Sequence, residues 1–155
     1  MYNKLIEFSR NIYFYKDAKL PDTAETRVLL IFFHFSIILQ VYKIKKFGKF
    51  PQYIYDNIFQ NIEYNLRELG LGDVNVNKKM KNLNKYFYDI LMKVNINKNS
   101  SNAFEFNKLL FKYYFEHNSQ NNEINLEFIR DYFNNFFKIC FELKSENMIK
   151  GQIKI

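Results

Sequence analysis

Residues 28–41 read VLLIFFHFSIILQV, with only His34, Ser36 and Gln40 interrupting apolar side chains. No other stretch constrains the fold as strongly, because a helix that is apolar all round needs packing partners all round. The run is shorter than the roughly 20 residues that a bilayer crossing takes, so it reads as the core helix of a bundle. Lys19, Leu20 and Pro21 break the chain before it. Asp22, Thr23, Ala24 and Glu25 read as a capping box, with the Asp22 carboxylate accepting from first-turn amides and Glu25 reaching back. The helix is expected to continue to about Lys46. Ser36, Gln40 and Lys43 cluster on one side, the expected solvent face, and Arg27 and His34 stack two turns apart on the other.

The rest of the chain supplies those partners. Leu5, Phe8 and Ile12 mark an amphipathic helix over residues 3–15. After Gly48 and Pro51, a third helix uses Phe59, Ile62, Leu66 and Leu69 and stops at Gly70, whose lack of Cβ suits the left-handed C-cap. Gly72 and Asp73 extend the turn, and Asn75 or Asn77 is expected to cap the next helix. That helix buries Val76, Met80, Leu83, Phe87, Ile90 and Val94 and turns Lys78, Lys81 and Lys85 outward. Two polar loops, 95–102 and 118–125, flank a fifth helix over 103–117, expected to use Phe106, Leu109, Leu110 and Tyr113. The last helix, 126–143, places Leu126, Ile129, Phe133, Phe136, Phe137 and Cys140 inward. The expected fold is all-α, an irregular bundle of about six helices with a long buried central helix. Residues 1–143 form one domain on this reading, and 144–155 a basic tail that frays.

The chemistry legible in the residues is sparse. His34 and His117 lie in different segments and fit neither a metal-ligand spacing nor a nucleophile–base pair. The single cysteine, Cys140, gives neither an internal disulfide nor a cysteine-based metal cluster, and it is expected in the core. Gly70 and Gly72 form a G-x-G without a preceding strand or a third glycine, which does not make a nucleotide loop. No catalytic residue, metal or cofactor is therefore expected. Asp22, Arg27, His34, Asp56 and Glu63, with Arg67, are expected to form a polar network between the second and third helices, with Arg27 in salt-bridge reach of Asp56 or Glu63. A formal net charge of +7 points toward acidic partners such as RNA, a ribosomal surface or anionic lipid. DNA is not expected as a partner. The candidate contact residues are Arg67, Glu68, Asp73, Lys78, Lys79, Lys81, Lys85 and Tyr88.

The stretch NLRELGLGDVNVNKKMK, followed by FY, resembles the signature of the ubiquinol-cytochrome c chaperone family, the assembly factors of respiratory complex III. Phe14, Tyr15, Pro21, Asp22, Thr23, Arg27, Leu30, His34, Asp56, Phe59 and Glu63 match further family positions in order. The resemblance covers roughly the first ninety residues. Asn61, Thr26, Asp89 and Asn77 depart from it, standing where the family prefers aspartate, glycine, glycine and glycine. It implies a non-enzymatic chaperone that binds newly made cytochrome b. It also implies a possible ribosome or rRNA contact, a small helical co-chaperone and peripheral membrane contact. The first residues, Met1 to Lys4, lack a secretory pattern. That leads to the expectation of a bacterial cytoplasmic protein peripheral to the inner membrane, or a matrix-side one in a eukaryote. The alternative that the residues themselves leave open is a basic helical RNA- or ribosome-binding module; an enzyme built around His34 is a more distant one.

Overall fold

The computed structural model describes residues 1–96, 104–105, 108–115 and 124–155. Among them the chain is all-α apart from one two-residue antiparallel ladder. The helices are α1 (Tyr2–Ser9), α2 (Ile12–Lys16), α3 (Ala24–Ile44), α4 (Gln52–Glu68), α5 (Asp73–Lys93), α6 (Lys108–Phe115), α7 (Leu126–Glu142) and α8 (Ser145–Ile149). The ladder pairs β1 (Asn95–Ile96) with β2 (Phe104–Glu105), within a region expected to be loop and helix start. All six expected helices are present. Two short additions account for the rest: the first helix divides at Arg10, where the Asn11 side chain accepts from Tyr13 N–H and starts α2, and α8 forms in the tail.

α3 is the central helix. Leu30, Phe32, Phe35, Ile37, Ile38 and Val41 have no exposed surface. One side of it enters an aromatic cluster with α4 and α5, where Phe87 lies 5.3 Å from Phe32 and Phe59 and 5.5 Å from Phe35, ring to ring. The other side meets α6 and α7, where Phe33 packs on Phe111 and Phe115, and His34 on Phe133 and Phe136. Such aromatic pairs contribute about 0.5–1.5 kcal/mol each beyond area burial. α3 has the length and apolar composition of a membrane span, and burial inside this bundle uses that surface.

Several local expectations are corrected. Thr23, one residue later than Asp22, caps α3, its hydroxyl oxygen accepting from Thr26 N–H at 3.1 Å, because Asp22 is engaged by Arg27. α5 starts at Asp73 with Gly72 as its N-cap, so neither Asn75 nor Asn77 caps it. Ser36 is fully buried and Gln40 half-buried, donating to the Leu91 carbonyl; only Lys43 of that trio is exposed. Leu69 is exposed, because Gly70 ends the helix and turns the chain away from the core. In α6 the buried side chains are Leu110, Phe111, Tyr114 and Phe115, with Leu109 and Tyr113 outward. Phe106 lies outside the described residues.

The tail departs from a frayed end. Met148 and Ile153 are fully buried, and Gly151 takes a positive φ where an added Cβ would stand 3.2 Å from the Met1 backbone. The tail thus lies against the N-terminal segment at Gly151 and sends Met148 and Ile153 into the core, with Ile155 exposed. Cys140 lies in the core of α7 as expected, and burial pushes its thiol pKa upward.

Candidate functional site

The expected five-residue network does not form. Arg27 pairs with Asp22 at 2.7 Å and its guanidinium also bears on the Tyr15 hydroxyl. Glu63 pairs with Arg67 at 2.8 Å, one turn along the same helix, and Asp56 accepts from Gln52 at 2.9 Å. His34 lies apart from all of them in the core. Each carboxylate found a partner within its own element or the adjoining segment, so the link between the second and third expected helices is aromatic rather than ionic.

His34 is held on both ring nitrogens: Nδ1 lies 2.6 Å from the Leu30 carbonyl oxygen and Nε2 2.9 Å from the Tyr132 hydroxyl. The carbonyl only accepts, so Nδ1 carries the proton and Nε2 accepts from Tyr132. Complete burial lowers its pKa to about 4, against a smaller opposing effect of the Leu30 bond, and the ring is neutral at pH 7. This is the arrangement of a satisfied core histidine. Among the described residues no cluster of histidine, cysteine, aspartate and glutamate is arranged to hold a metal ion.

The surface feature of note lies at the turn between α4 and α5. The Gly70 N–H donates to the Arg67 carbonyl at 2.9 Å with φ +82°, the left-handed cap expected there. Arg67 spans the turn, holding Glu63 on α4 and Asp73 at the start of α5. Beside this clasp an open groove of about 300 Å³ runs between α1, α3 and the two hairpin helices. Its floor is apolar: Ile6 from α1, Val28 and Ile31 from α3, Ile62 and Leu66 from α4, and Leu83 from α5. Leu69, 65% exposed, and Leu71 extend that floor outward through the turn. Charged groups rim it, with Arg10, Arg27 and Lys79 as cations and Glu25 and Glu68 as anions. A shallower extension shares Glu25, Leu71, Lys79 and Leu83 and reaches Lys78 and Tyr86.

The candidate contact residues therefore divide. Glu68 and Lys79 line the groove, Lys78 lines its extension, and Arg67 and Asp73 brace the turn beside it. Lys81 and Lys85 are exposed on the outer face of α5. Tyr88 is also outward, its hydroxyl accepting from Tyr55 at 3.1 Å. The groove floor and Arg10 were absent from the sequence expectation. The available signal was the pair Leu69 and Leu71, apolar residues alternating with glycine in a turn where polar ones would be ordinary.

An apolar trough with a mixed-charge rim has the shape and surface chemistry to accept an apolar segment flanked by polar groups. The family profile described as Ubiquinol-cytochrome C chaperone matches residues 16–102, which include most of the groove and the whole hairpin turn. The chain belongs to the ubiquinol-cytochrome C chaperone family. The crystal structure of the Cbp3 homolog from Brucella abortus shares its fold, with TM-score 0.64 and 23% sequence identity over 99% of this chain and 84% of that one. No curated protein matches the chain at a significant level.

Proposed function

We propose that the protein is an assembly chaperone of the ubiquinol–cytochrome c reductase complex, complex III, and holds an apolar segment of newly made cytochrome b in the groove beside the α4–α5 turn. The observation that carries this reading is the coincidence of the groove with the family-matched hairpin. A client segment laid along Ile6, Val28, Leu69 and Leu71, the accessible apolar lining of the groove, would remove its apolar face from water, the main driving force of helix-in-groove recognition. The rim cations and anions then select the polar flank. Catalysis has no part in this function: binding alone delays aggregation until neighbouring subunits join. The action is at the membrane, where the client is inserted.

Co-purification of newly made cytochrome b with a tagged chain from native membranes tests the reading. Leu69→Asp places a charge on an exposed groove residue without disturbing the core, and it is expected to lower recovery at least several-fold. Recovery of ribosomal RNA in place of cytochrome b, or equal recovery with Leu69→Asp, would overturn it.

A further inference from the structure

Val74 and Met92 are 81% and 80% exposed, more than the other large apolar side chains described as exposed. About five helical turns separate them at 3.6 residues per turn, so both lie on one line along α5, roughly 27 Å apart. Lys78, Lys81, Lys85 and Tyr88 fall within about 40 degrees of that line, at about 100 degrees per residue. All four are exposed. Among the described residues no carboxylate pairs with these lysines. The acids of α5 are engaged elsewhere, Asp73 by Arg67 and Asp89 by Lys93 and Tyr114. The α4 group that meets this face is the neutral hydroxyl of Tyr55.

We propose that this outward face of α5 docks on an anionic lipid surface, with its lysines on headgroup phosphates and Val74 and Met92 in the boundary above the acyl chains. The two chemistries occur together on one line, and this decides the partner. A nucleic acid would take the lysines but gains nothing from an aliphatic side chain at each end. A lipid interface takes both, since aliphatic and aromatic groups enter the headgroup–acyl boundary while lysine stems lie along it with their ammonium groups outward. The main groove opens on the opposite flank of α5, through Lys79 and Leu83, about 140 and 180 degrees from the line of Val74 and Met92, and only its shallower extension reaches the stripe, at Lys78. Docking therefore leaves the main groove free. The inference stands apart from the client reading, because vesicles without any client test it.

The chain has no tryptophan, so Val74→Trp and Met92→Trp each give a single fluorescent reporter at an exposed site. Each is mixed with phosphatidylcholine vesicles with and without phosphatidylglycerol, and binding is read by flotation. Flotation with the phosphatidylglycerol vesicles alone, with a blue shift of both reporters, is the expected result. Lys78→Gln, Lys81→Gln and Lys85→Gln together are expected to weaken that binding on the order of a hundred-fold, about five-fold per lysine, with helix content by circular dichroism unchanged. Three outcomes would overturn the proposal: emission that stays water-like in floated protein, flotation indifferent to the triple substitution, or salt-sensitive binding to a uridine oligonucleotide without binding to either vesicle.

Discussion

The imidazole of His34 on α3 accepts a hydrogen bond from the hydroxyl of Tyr132 on α7, 98 positions later, at 2.9 Å. The pair ties the central helix to the last long one inside a sleeve of Phe8, Phe14, Phe133 and Phe136. It also makes the fold sensitive to acid. The folded pKa, about 4, lies below the ordinary histidine value of 6.5, so the unfolded chain binds the extra proton between those values. Stability is therefore intact above pH 6.5 and falls as the pH drops toward 4, by up to about 3 kcal/mol from this residue. Urea midpoints for the wild type and His34→Gln across that window check it: the wild-type curve is expected to fall more steeply by close to one proton.

Gly70 and Gly72 are expected to respond oppositely to substitution. Gly70 sits at φ +82°, so Gly70→Ala costs about 1–2 kcal/mol of left-handed strain although no atom crowds the site. Gly72 is the α5 N-cap at φ −67°, where serine fits and supplies an acceptor, so Gly72→Ser gains a few tenths of a kcal/mol. Thermal unfolding of the two variants measures both signs.

Lys45 donates to the Phe141 and Leu143 carbonyls, at 2.6 and 3.0 Å, where α7 ends. These carbonyls otherwise lack intrahelical partners. Its ammonium group also lies 5.0 and 5.4 Å from the Phe47 and Phe141 ring centres, so Lys45→Met removes the donor together with these cation–π contacts. A loss of about 1.5–3 kcal/mol is expected in equilibrium denaturation, the usual contribution of a hydrogen bond to a charged group.

Phe87 is fully buried and contacts Phe32, Phe35, Tyr55 and Phe59. Phe87→Ala is expected to cost about 3–5 kcal/mol through lost transfer energy and the cavity left behind. Phe87→Leu should recover more than half of that loss, as chemical denaturation of the two variants would show.

Features that depend on nearby residues are legible in the sequence. The Gly70 stop was legible because a left-handed cap is a property of one backbone position, and the inward face of α7 because its apolar residues recur on one side only. Where apolar residues occur on both sides, periodicity cannot choose. In α6, KLLFKYYF, the packing of Phe111 and Phe115 on Phe33 chose the buried face and left Leu109 outside. The same limit applied to polar partners. Arg27 had three carboxylates within plausible reach, and only the assembled chain put Asp22 at its guanidinium.

The all-α class and the buried central helix were thus determined by the order of the residues, since local spacing and a near-continuous apolar run leave few alternatives, while the family was carried by the resemblance of the NLRELGLGDVNVNKKMK stretch and confirmed by the family match. The groove, the separation of Lys79 from the outward lysines, and the packing of the C-terminal tail were decided by tertiary structure. Each depends on which surfaces from distant segments come within contact distance, and nothing in the periodicity of a single helix carries that distance.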